Sequence, residues 1–95
     1  MAALDFQSRT EVMTVERKYI FAIRAESDPQ IMLRVAGLFA KRNIVPDQIC
    51  ARRSGERLLI DVEVQLESSA VARLLVEKLR AIVLVERATL LGDVH

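Results

Sequence analysis

Cysteine and histidine occur once each, as Cys50 and His95, and tryptophan is absent. A single thiol excludes an internal disulfide and a cysteine-based zinc site. The lone histidine stands at the C-terminus, so a Cys–His or Ser–His catalytic pair has no evident members. The glycines Gly37, Gly55 and Gly92 are scattered, which removes the glycine-rich loop that cradles phosphate. A formal net charge of +1 gives no bulk attraction to nucleic acid or to an anionic membrane. No apolar run approaches the roughly 18 residues that span a bilayer. The N-terminus carries Asp5, Arg9, Glu11 and Glu16 without an apolar core, unlike a secretory signal. These absences lead us to expect a cytoplasmic, non-enzymatic protein with no catalytic residues, metal or cofactor, and with neither nucleic acid nor membrane as partner.

What is present is aliphatic. The chain is 52% hydrophobic but only 4% aromatic, so its core must be built from Leu, Ile, Val and Ala. Ninety-five residues make one domain, whose modest core dimerisation would reinforce. Residues 1–17 mix charge and isolated apolar side chains and read as a flexible tail. The domain proper is expected over residues 18–91, with a short tail at 92–95.

Lys18 to Ala25 places Tyr19, Phe21, Ile23 and Ala25 on one face and Ile20, Ala22 and Arg24 on the other. Apolar residues on both faces predict an interior strand. The next stretch is the best-marked in the chain. Asp28 suits an N-cap, Pro29 the first helical position, and Ile31, Val35, Leu38 and Phe39 recur at helical spacing to Arg42. Asn43 suits a left-handed terminator. A strand is expected over Ile44 to Ser54, and Pro46 assigns it to a sheet edge or a bulge. Ser54-Gly55-Glu56 predicts a hairpin turn into Arg57 to Gln65, where apolar and polar residues alternate. Ser68 or Ser69 can cap a second helix with the stripe Val71, Leu74, Leu75 and Leu79, and Ile82 to Leu91 predicts a closing strand. Asp61 and Glu63 read as the solvated face of their strand. Arg52, Arg53 and Arg57 read as a solubilising turn, an anion contact or a subunit salt bridge.

The order strand, helix, strand, strand, helix, strand is the ferredoxin-like βαββαβ pattern. It implies an α+β sandwich, with a four-stranded antiparallel sheet and two helices on one face. Right-handed crossovers put the first and third strands in the centre. RNA-binding domains of this shape stack bases on aromatics of the central strands, yet Arg57 to Gln65 contains none.

The run Val35-Ala36-Gly37-Leu38-Phe39-Ala40-Lys41-Arg42-Asn43-Ile44-Val45, after an Asp-Pro turn, resembles the ACT domain. Within that family it is most similar to the small regulatory subunits of acetolactate synthase. The resemblance implies a non-catalytic homodimer, often joined side by side into one sheet. It further implies a branched-chain amino acid, usually valine, bound at the interface, and control of a separate thiamine-dependent catalytic subunit. Residue by residue, it places the effector site at Ser27, Asp28, Gln30, Ile31 and Met32, with Asn43 and Ile44 at the far end of the helix. The family's usual glycine is replaced by Gln30, and its usual asparagine by Ser27. A dimerisation module that binds no amino acid is the alternative.

Overall fold

The computed structural model describes residues 16–92. Of the two tails read from the sequence, residues 1–15 and 93–95 lie outside that range, and Arg17 already opens the first strand. The elements are β1 (Arg17–Glu26), α1 (Pro29–Ala40), β2 (Gln48–Ser54), β3 (Arg57–Leu66), α2 (Ser69–Arg80) and β4 (Val85–Leu90). The sheet is antiparallel in the order β2-β3-β1-β4, with β1 and β3 central, as the crossover rule requires. The fold is the ferredoxin-like sandwich.

Alternation explains the layering. Tyr19, Phe21, Ile23 and Ala25 of β1 pair with Val64, Val62, Ile60 and Leu58 of β3. All but the half-buried Leu58 are fully buried under the helices. One helical stripe, Ile31, Val35 and Phe39 from α1, covers this face together with Ala72, Leu75, Val76 and Leu79 from α2. The rings of Phe21 and Phe39 meet edge to face at 5.5 Å, a geometry that adds about 1 kcal/mol to the burial itself.

Three boundaries differ from the sequence reading by two residues or more. α1 ends at Ala40 rather than Arg42, and residues 41–43 wind into a turn. The Ile44 amide there donates to the Phe39 carbonyl and the Asn43 amide to the Ala40 carbonyl, with Asn43 left-handed at φ 58°. This is a Schellman termination, and Asn43 tolerates it at little cost. Ile44 is therefore consumed by the helix end, and β2 begins only after Pro46, on the sheet edge. The third difference is β4, which starts at Val85 instead of Ile82. Residues 82–84 form a reversal in which Leu84 has φ 81°, a conformation no glycine or asparagine announced. Ile82 and Leu84 nonetheless pack on the core, and this burial holds the strained backbone.

Truncating Phe39 to alanine removes a buried ring and its partner contact. We expect a loss of about 3–5 kcal/mol in urea unfolding, against under about 0.5 kcal/mol for Leu33→Ala, whose side chain is 68% exposed.

Candidate functional site

The residues assigned from the sequence fall at the two ends of α1. A twelve-residue helix is about 18 Å long, so no single small molecule on one chain reaches both groups.

At the N-terminal end, the chain leaves β1 through a tightly held turn. The Glu26 amide donates to the Leu84 carbonyl and the Ser27 amide to the Glu56 carbonyl, both at 3.0 Å. The turn is thus clamped between the β2–β3 hairpin and the entry to β4. Asp28 is the N-cap. Its Oδ1 accepts from the Gln30 amide at 2.8 Å, and its carbonyl accepts from the Ile31 amide at 3.1 Å. Pro29 has no amide to offer. The first donors of the helix are therefore occupied by the protein's own carboxylate and carbonyl, and an incoming carboxylate must displace Asp28. Ser27 and Gln30 are exposed, Asp28 and Met32 half-buried. Ile31 is 1% exposed and belongs to the core, so it supports the turn from beneath. Gln30 has an ordinary negative φ, so nothing in its backbone calls for glycine.

At the C-terminal end, Asn43 and Ile44 border an open cleft of about 750 Å³ between the α1–β2 and β3–α2 connections. Its walls are mixed. Arg42 is the cation, Asp47 and Glu67 are among the anions, and Val45, Leu66 and Val71 are apolar. Ser68 on the rim caps α2, its hydroxyl accepting from the amides of Ala70 and Val71. A second, smaller cleft between the helices holds Leu33, Leu38, Val83, Lys41 and Lys78, and contains none of the assigned residues. Among the described residues no cluster of His, Cys, Asp or Glu could hold a metal, and no helix is long and apolar enough to cross a membrane.

The comparisons agree with this architecture. A profile described as an ACT-like domain matches residues 11–92. The chain belongs to the ACT-like domain family. The match begins at residue 11, inside the segment read as a tail. Curated proteins give no match. Among solved structures, the chain is similar to the ACT domain of GTP pyrophosphokinase from Chlorobium tepidum. In its solution structure that domain has a TM-score of 0.72 and 14% identity, covering 83% of this chain and 90% of that one. The chain is also similar to the ligand-free regulatory subunit of aspartate kinase from Thermus thermophilus, with a TM-score of 0.63 and 20% identity. That alignment covers 80% of this chain and 52% of the kinase subunit, so this ACT-like domain spans about half of it. At such identities the likeness establishes the fold alone. None of these matches points to acetolactate synthase, so that expectation rests on the helix motif alone.

The sequence reading missed the α2 cap as a neighbour of Asn43. The signal available was the equal length of the two helices, which brings the end of one beside the start of the other. Replacing Asp28 by alanine frees the Gln30 amide and should lower stability by about 1 kcal/mol, read as a shift in the urea midpoint at unchanged m-value.

Proposed function

We propose that this ACT-like domain is a non-catalytic regulatory module that binds a small amino acid between two copies of the chain. ACT domains are typically regulatory, commonly dimerise and bind amino-acid effectors. The observation that carries the reading is the split site. β2 forms one edge of the sheet, and every one of its seven residues is exposed. α2 packs on β4 at the opposite edge, leaving α1 to the half of the sheet nearer β2. Antiparallel pairing of two β2 edges about a two-fold axis sets α1 beside its symmetry mate, running the opposite way. Ser27, Asp28 and Gln30 of one chain then lie towards Asn43 and Ile44 of the other. Two half-sites 18 Å apart in one chain become two whole sites in the dimer.

In this reading the carboxylate is held at the turn in competition with Asp28, and Gln30 and the partner's Asn43 supply polar contacts. Met32 and the partner's Ile44 take an aliphatic side chain. The motif from Gly37 to Asn43 favours a valine-like effector and an acetolactate synthase-type catalytic subunit. The second reading, a dimerisation module without effector, is favoured by the Asp28 hydrogen bonds that already fill the helix start.

Thermal melts with valine, leucine and isoleucine separate the two. A ligand at about 100 times its Kd stabilises by about 2.7 kcal/mol, and no shift with any of the three overturns the effector reading. Position 30 has its own test: Gln30→Gly should tighten valine binding if the long side chain fills the ligand's space. Sharing of the site is tested by mixing Gln30→Glu chains, whose added charge repels the ligand carboxylate, with Asn43→Ala chains. Each variant alone loses binding, while the mixed dimer regains one site of two; no recovery means that the site is not shared. Titrating the chain into an acetolactate synthase catalytic subunit should raise its activity and make it valine-sensitive.

A further inference from the structure

The register of the sheet arranges charge in bands on the face away from the helices. One row across the four strands reads Arg52, Leu59, Arg24, Arg87. The row below reads Cys50, Asp61, Ala22, Thr89, and the next contains Gln48, Glu63 and Ile20. Arg57 stands one row above. Glu26 stands beside Arg57 in that row, and Lys18, one row below Glu63, pairs with it at 3.5 Å. The face is therefore basic across the Arg52–Arg87 row and acidic at Asp61, with Leu59, Ala22 and Ile20 forming a half-buried apolar middle.

This arrangement is costly for an isolated chain. Arg24 and Arg87 oppose each other directly across β1 and β4, and like charges so placed repel. The sheet answers with a bulge between Arg24 and Ala25 in the β1–β4 register, which turns Glu86 towards Arg24 at 3.4 Å and Arg57 at 2.9 Å. One carboxylate serves two arginines. Arg52, Arg87 and Asp61 have no ion-pair partner among the described residues.

We propose that this face docks on the same face of a second copy of the chain, with the strands of the two sheets antiparallel. Charge selects that orientation. A two-fold axis along the strands would set arginine row on arginine row. A two-fold axis across the strands sets the arginine row of each sheet on the Asp61 row of the other. With that axis between the Leu59 and Asp61 rows, the partner's Asp61 faces Leu59. It is flanked by Arg52 and Arg24 on neighbouring strands about 4.8 Å to either side. The unpaired Asp61 of each copy thus meets the unpaired Arg52 of the other, and Leu59 lies diagonally across from the partner's Ala22 at the centre. The surface takes in outward side chains of β2 but neither its backbone edge nor the ends of α1, so it stands whether or not an effector binds. It doubles whatever assembly the edge makes.

Sedimentation velocity of the full chain at about 50 mM and about 500 mM NaCl tests this, because screened ion pairs lose hold as salt rises. The mass should double at low salt relative to high salt. Asp61→Arg, on an interior strand away from the β2 edge, should weaken that step at least tenfold. Arg52→Asp should do the same, and the double variant Asp61→Arg/Arg52→Asp should restore it. No mass doubling in the wild type, an Asp61→Arg chain that associates as wild type does, or a double variant that fails to recover each overturns the proposal. So does polyphosphate binding that is lost in Arg52→Asp but kept in Asp61→Arg without self-association; that result would assign the arginines to an anion instead.

Discussion

The seating of α1 on the central strands governs everything else in this molecule. Ile31, Val35 and Phe39 recur every four residues and are each 1% exposed, so the helix has a single buried stripe and a single axial position. Phe39 is locked further by its edge-to-face contact with Phe21. Sliding the helix by one turn would put Phe39 where Val35 fits and leave a cavity behind, at a cost of several kcal/mol. The two helix ends are thereby fixed at opposite ends of the sheet. One is held by the hairpin through the Ser27 amide, the other by the Schellman turn that feeds β2. The separation of the assigned residues follows from core packing, and in the proposed function it is this separation that calls for a second chain.

Much of this was legible because the relevant signals are local and mutually consistent. The alternation in Arg57 to Gln65 admits one burial pattern, and Asp28-Pro29 admits one kind of helix start. Pro46 correctly assigned β2 to an edge. The misread boundaries share a cause: each depends on what a neighbouring element consumes. Ile44 looks like a strand residue until the end of α1 takes its amide. Ile82 and Leu84 look like strand residues until the return from α2 needs a reversal there, and tertiary burial imposes a left-handed leucine that propensity disfavours. Glu86 was invisible for the same reason. A bulge is a mismatch between two strands, and only the pairing reveals it.

The candidate site was half legible. Ile31 could have been assigned to the core from its place in the stripe with Val35 and Phe39, and the twelve-residue length of α1 already separates Asp28 from Asn43. What a single chain cannot encode visibly is its pairing with another. The β2 edge and the charged sheet face acquire meaning only when a symmetry axis is proposed, and the resemblance was what first suggested one.

In the proposed site, Asp28 sets the limit on how tightly an effector can bind. Its carboxylate already makes the charge-assisted bond to the Gln30 amide, which contributes about 1 kcal/mol to the fold. A ligand carboxylate at the same donor exchanges one such bond for another and gains little from it. It must also approach a displaced negative charge. The net driving force then falls to the aliphatic side chain, worth about 1.5–3 kcal/mol on full burial, and to polar contacts from Gln30 and the partner's Asn43. Millimolar affinity already requires about 4 kcal/mol. A turn with glycine in place of Gln30 would meet that requirement through backbone contact. This turn can meet it only if the Gln30 amide group and the second chain contribute directly, which makes binding and dimerisation a single linked equilibrium.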